Sequence, residues 1–178
     1  MGRVVVLDTE TTGFRKKGKD VSNGHRVVEV GCVEIVDGII TGREFHAYVN
    51  PCQVVDPRAV AIHGLTDKFL SDKPVFSDIA TKFIDFIKGA ECIVIHNASF
   101  DVAFIDKEFR LLPSHMQPST VFHVVDSLQM ARGLFPGMKN RLDDLCIRLR
   151  VPGRLCGVHG ALSDAKLLAR VYLILLKI

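Results

Sequence analysis

The sequence lacks any cysteine pattern that would staple or metallate it. Its five cysteines, Cys32, Cys52, Cys92, Cys146 and Cys156, are odd in number and form no CxxC pair. That excludes a disulfide framework and a cysteine-based zinc site. Most stand in apolar runs, as buried thiols do, and a reducing, cytoplasmic compartment is expected. No H-E-x-x-H is present, so zinc hydrolysis has no support. Long hydrophobic runs are also missing. The N-terminal run is too short for a signal peptide and soon meets acids. The C-terminal LLARVYLILLKI contains Arg170 and falls short of the roughly 20 residues that a membrane span needs. Charge of one sign is not in excess: the formal net charge is +3, compatible with a polyanionic partner without requiring one. The basic stretch RKKGK, residues 15–19, reads by itself as a solvated loop. Repeats, low-complexity segments and linkers are absent. What remains is one domain over residues 1–178, long enough to bury a core.

Strand and helix patterns follow one another in a definite order. Residues 3–9 are continuously apolar, which predicts a strand covered on both faces. Residues 25–36 alternate, and Asp37-Gly38 signals a hairpin turn into a third strand over 43–51. Short helical pieces with a His63-Gly64 break lead to a helix over 74–89, its apolar face set by Phe76, Ile79, Phe83 and Ile87. A fourth strand over 91–97 precedes a helix over 99–112, with Asn97 or Ser99 as its expected cap. A fifth strand over 120–127, two helices over 127–135 and 141–151, and a last helix over 162–177 complete the chain. A meander followed by alternating helices and strands predicts an α/β fold. Its five-stranded mixed sheet, antiparallel meander plus parallel strands, is flanked by helices. Ligands gather at the carboxyl ends of such parallel strands.

The first strand ends there in two acids. Strand alternation puts Asp8 and Glu10 on one side, with Thr9 between them. Like charges held close repel, and burial adds to the penalty. A hard cation bound by oxygen would compensate; the bland reading is an exposed strand end. In the helix over 99–112, Asp101 precedes Phe104, Ile105 and Leu112 and so lies on the apolar side, whereas Asp106 and Glu108 fall toward solvent. In the last helix, Asp164 precedes Leu167, Leu168, Val171 and Leu175 and shares their face. Each of these two acids also suits a helix-dipole or capping role. His159 lies in the turn five residues before Asp164. Its ordinary pKa near 6.5 suits proton removal from water, and a surface hydrogen-bonding role is the alternative. His63 sits in an Ile-His-Gly break as a turn residue or a ligand contact. His96, beside Asn97, is a candidate for bonding backbone near the site.

Three stretches in this order, DTETTG, HNASFD and HGALSDA, resemble the exonuclease motifs of the DEDD superfamily in its histidine-bearing (DEDDh) branch. Longer stretches are similar to the epsilon, or proofreading, subunits of bacterial DNA polymerase III: GHRVVEVGCVEIVDGIITGREFHAYVNP, VDPRAVAIHGLTDKFLSDKPVF, VVDSLQMARGLFPG and RLDDLC. The likeness covers nearly the whole chain. It implies a ribonuclease H-like fold and metal-dependent 3′→5′ hydrolysis of DNA that releases nucleoside 5′-monophosphates. It also implies two divalent cations, Mg2+ or Mn2+, held by Asp8, Glu10, Asp101 and Asp164, with His159 as general base. In substrate binding, Thr9 would meet the terminal sugar and Ile62 would wedge between the last bases, unless it is plain core. His63 would touch the nucleotide, and Glu10, Asn97, Phe100 and Asp164 would line the cleft. Arg58 stands where epsilon subunits carry Glu, so its contacts differ, with Arg58 reaching phosphate. The implied partners are a single-stranded or frayed DNA 3′ end and the catalytic subunit of a replicative polymerase. Epsilon subunits continue into a tail that binds the polymerase. None is visible before Ile178, so a catalytic fragment or a tailless form is expected. An exoribonuclease of the same fold shares all three motifs, and a non-catalytic binding or scaffold module would be expected to have lost at least one.

Overall fold

The computed structural model describes residues 2–14, 21–113, 122–152 and 159–178. The basic stretch 15–19, Cys156 and the first two positions of the expected fifth strand lie outside the described residues.

The apolar opening run becomes β1 (Arg3–Thr11), at the centre of a five-stranded sheet of order β3-β2-β1-β4-β5. Its antiparallel neighbour β2 (Val27–Val36) turns through Asp37 and Gly38 into β3 (Ile39–Tyr48). Both turn residues have positive φ, 49° and 78°, the conformation that a two-residue hairpin needs and that Asp-Gly supplies. The third strand therefore begins at Ile39, directly after the turn, and not at residue 43. On the other side β4 (Cys92–Ile95) and then β5 (Val124–Asp126) add in parallel. The mixed sheet is the one the order of patterns predicts.

Cover on both faces explains the unbroken apolar run in β1. Val5 and Leu7 pack against α3 (Phe76–Ile87) and α4 (Ser99–Arg110) through Phe76, Phe83, Phe104 and Ile105. Val4 and Val6 point the other way, onto Ala165, Leu168, Ala169 and Tyr172 of α7 (Ala161–Leu175). Two short helices, α1 (Pro57–His63) and α2 (Asp67–Leu70), follow β3, while α5 (Ser127–Leu134) and α6 (Leu142–Arg148) follow β5.

Gly31 of β2 brings α7 unusually close. A Cβ there would overlap the backbone of Ala161 and Leu162, so only glycine lets the first turn of α7 rest on the sheet. Gly31 is paired with Asp8, and the close approach therefore occurs beside the acidic strand end.

Two local expectations fail for tertiary reasons. Glu108 is not on a wet face but 1% exposed. Its carboxylate accepts from Arg26 Nε and Nη2, each at 2.7 Å, and from the backbone N–H of Val27 at 3.0 Å. A buried charge needs such a set of partners, and helical periodicity cannot reveal a partner supplied from 82 residues away. The N-cap of α4 is Ala98, with no side-chain bond, and neither Asn97 nor Ser99 caps it. Asn97 adopts the left-handed conformation, φ 65°.

Candidate active site

Alternation along β1 divides the strand end between two faces. Asp8 and Glu10 continue the Val4 and Val6 side, toward α7; Thr9 and Thr11 continue the Val5 and Leu7 side, toward α4. Each helix answers with an acid in its first turn, Asp101 in α4 and Asp164 in α7, each 4% exposed. Asp101 Oδ1 accepts both the backbone N–H of Thr9, at 3.0 Å, and its hydroxyl, at 2.7 Å. Asp164 Oδ2 lies 3.2 Å from His159 Nδ1. A carboxylate only accepts, so Nδ1 carries the proton of a neutral His159 and Nε2 keeps a lone pair.

The charges of these acids converge on Asp8. Burial is the main cause that raises its pKa well above the usual carboxylate range, followed by the charges of Asp101, Glu10, Asp164 and Glu29. Burial likewise pushes Asp101 up to about 7, against the pull of the Thr9 hydrogen bonds and helped by Asp126. A site that holds so many acids at the cost of keeping protons on them is poised for cations. Among the described residues, Glu10, His159 and Asp164 offer ligand atoms within 4.8 Å of one another. Asp8 and Asp101 are outside that tight group, although the charges of Asp101, Glu10 and Asp164 all act on Asp8. The donors are predominantly hard carboxylate oxygens from three separate segments, a set that fits Mg2+ or Mn2+.

Beside the acids opens a cleft of about 260 Å³. Its walls contain Thr9, Glu10, Arg58, Ile62, His63 and Phe100, all singled out from the sequence, together with Phe14 and Asp56, which were not. Ile62 is 47% exposed and is therefore not core. Phe14 meets Phe100 edge-to-face at 5.8 Å, and the two rings give the cleft an apolar, aromatic lining suited to a base. Arg58 is exposed and bonded to Asp56, whose carboxyl its guanidinium holds down at about 2. Asn97 does not line the cleft; it is exposed, and its N–H donates to Asp126 Oδ1 at 3.1 Å. His96 Nδ1 bonds the hydroxyl of Ser127 at 2.9 Å.

Two residues behind the site were not foreseen. Glu29, 3% exposed, pairs with Glu10 across the β1–β2 ladder, and His46 Nε2 bonds its Oε1 at 2.7 Å. An acid in the alternating run VVEVGCVEIV was the available signal, but strand register was needed to place it opposite Glu10. Gly31 was the other, and nothing in sequence shows what crosses a glycine.

A family model described as an exonuclease matches residues 5–172. The DNA polymerase III subunit epsilon of Salmonella typhimurium is 49% identical over 172 residues, covering 96% of this chain and 70% of that protein. Its counterpart from Escherichia coli is 48% identical over 172 residues, with the same coverages, 96% and 70%. Among solved structures, Exonuclease X in complex with 5′-overhanging duplex DNA is similar at a TM-score of 0.72 and 28% identity, over 98% of this chain and 91% of that one.

Proposed function

Since the chain belongs to the RNase_T exonuclease family, we propose that its acidic site trims the 3′ end of DNA as the proofreading activity of a replicative polymerase. It is a 3′→5′ exonuclease that depends on divalent metal. The observation that carries the reading is the convergence on Asp8 of charges from β1, α4 and α7. We assign two ions, Mg2+ or Mn2+, to Asp8, Glu10, Asp101 and Asp164. When bound, such ions lower the pKa of water and offset charge growing on the departing 3′ oxygen.

The chain's own groups do the rest. His159 takes the proton of the attacking water on Nε2, while Asp164 fixes the tautomer through Nδ1 and stabilises the imidazolium that forms. His159 is 39% exposed, which gives it access to that water. Thr9 holds Asp101 in place and presents backbone to the terminal sugar. Ile62, Phe100 and Phe14, which all line the cleft, receive an unstacked terminal base. Arg58, itself exposed, exchanges its partner Asp56 for a phosphate oxygen, a low barrier for a guanidinium that solvent already screens.

A frayed, mispaired end enters such a single-strand cleft more readily than a paired one, which is the physical basis of proofreading. The partner assigned on this reading is the polymerase catalytic subunit, in the cytoplasm, and residues 1–178 act as one exonuclease domain. Among the described residues, no helix is long and apolar enough to cross a membrane. The test is a time course on a 3′-mismatched DNA primer with and without Mg2+, beside matched DNA and RNA primers. Metal-dependent release of 5′-monophosphates, fastest from the mismatched DNA end, is expected. Preference for the RNA end would instead assign an exoribonuclease.

A further inference from the structure

His63 forms part of the cleft wall but keeps its ring inside the protein. It is 5% exposed, and both ring nitrogens are occupied by backbone. Nδ1 accepts the N–H of Leu65 at 3.0 Å. The ring proton of the neutral form is therefore on Nε2, which donates to the carbonyl of Thr11 at 3.2 Å. Burial holds the ring below the ordinary histidine pKa, in keeping with this neutral form.

These two bonds sit in a longer chain of connections. The backbone N–H of Asp56, which caps α1, donates to the carbonyl of Thr12 at 2.9 Å. The helix is thus fastened at both ends to the two residues that follow Glu10, Thr11 at the end of β1 and Thr12 just after it. One position before His63, the carbonyl of Ile62 accepts the backbone N–H of His159 at 3.1 Å. The proposed base therefore hangs from the same short helix that presents the proposed wedge, and His63 fastens that helix to the metal-binding strand.

We propose that His63 is a positioning residue: by bonding Thr11 it locks α1 to β1, and through the Ile62 carbonyl it sets the place of His159. The inference rests on the exonuclease reading for its kinetic consequences, but the tether itself does not depend on it. One rigid unit then couples the wall that grips the terminal base to the group that takes the proton.

Asparagine and glutamine at this position separate the two ring bonds. His63→Asn reaches only as far as Nδ1 and keeps the local bond to Leu65. His63→Gln reaches as far as Nε2 and keeps the bond to Thr11. Two measurements read the result: steady-state kinetics on a mismatched primer with Mg2+, and amide hydrogen exchange of His159 by NMR in metal-free protein. In His63→Asn, kcat is expected to fall about 10²-fold, the effect of misplacing a catalytic group by ~1 Å. KM for the primer should rise only together with this fall in kcat, because Ile62 moves with the helix, and His159 amide protection should be lost. His63→Gln, which keeps the bond to Thr11, should retain the His159 protection and lose less kcat than His63→Asn. Exchange in the β1–β2 ladder reports folding separately. A rise in KM at unchanged kcat in His63→Asn, with His159 protection intact, would overturn the proposal in favour of a nucleotide contact. Loss of protection in a chain whose parent proves inactive on DNA would support the tether while refuting the exonuclease reading.

Discussion

Gly31→Ala tests whether the site depends on how closely α7 lies on the sheet. An alanine Cβ would fall on the backbone of Ala161 and Leu162. Carbon atoms settle at about 3.5–4.0 Å from one another, so the start of α7 must retreat by about 1 Å or more. That turn carries Asp164 and is preceded by His159, whereas Asp8, the partner of Gly31 in the ladder, stays with the sheet. The acids would be drawn apart while the core beneath them remains. A displacement of ~1 Å at a catalytic group lowers rate by about 10²-fold. Overpacking at one site destabilises by about 1–3 kcal/mol. Single-turnover release from a 3′-mismatched primer, with a thermal melt of the same preparation, separates the two effects. A large loss of rate at a modest loss of melting temperature is expected. Full rate with an unchanged melt would refute the claim that the close approach places Asp164 and His159.

Other perturbations act on single links. Thr9→Val removes the hydroxyl bond to Asp101 but leaves the backbone bond. A hydrogen bond to a charged group contributes about 1.5–3 kcal/mol, so the Asp101 pKa should rise by about one to two units, read as an upward shift of the acidic limb of the pH–rate profile. Metal-free protein should lose stability as pH rises toward 7, because Asp101, raised to about 7, holds its proton more tightly folded than unfolded. Divalent ion should reverse that loss, more so at pH 8 than at pH 5, in a melting series with and without Mg2+. Glu108→Gln leaves the Arg26 guanidinium facing a neutral partner in a largely buried position and should destabilise by about 3 kcal/mol in urea unfolding.

The features that were legible in sequence share a local cause. An apolar run without alternation marks a strand covered on both faces, and Val4 to Leu7 obey it. Helical spacing placed Asp101 and Asp164 inward because each is followed by a long apolar stripe. Asp37-Gly38 announced its turn through backbone conformation alone. What failed was set by distant partners. Glu108 looked wet until Arg26 was brought against it. Glu29 became part of the site only through its register opposite Glu10. Gly31 looked like any glycine until α7 crossed it. His63 could be assigned to the cleft but not to its two backbone partners, because those depend on where α1 meets the end of β1.

Calorimetric titration of the metal-free chain with Mn2+ bears most directly on the whole scheme, run on the parent and on Asp8→Asn, Asp101→Asn and Asp164→Asn. Saturable uptake of about two ions per chain is predicted, weakened by every one of the three substitutions although they lie in three separate segments. Uptake that is absent in the parent, or that is indifferent to the residues contributed by α4 and α7, would contradict it.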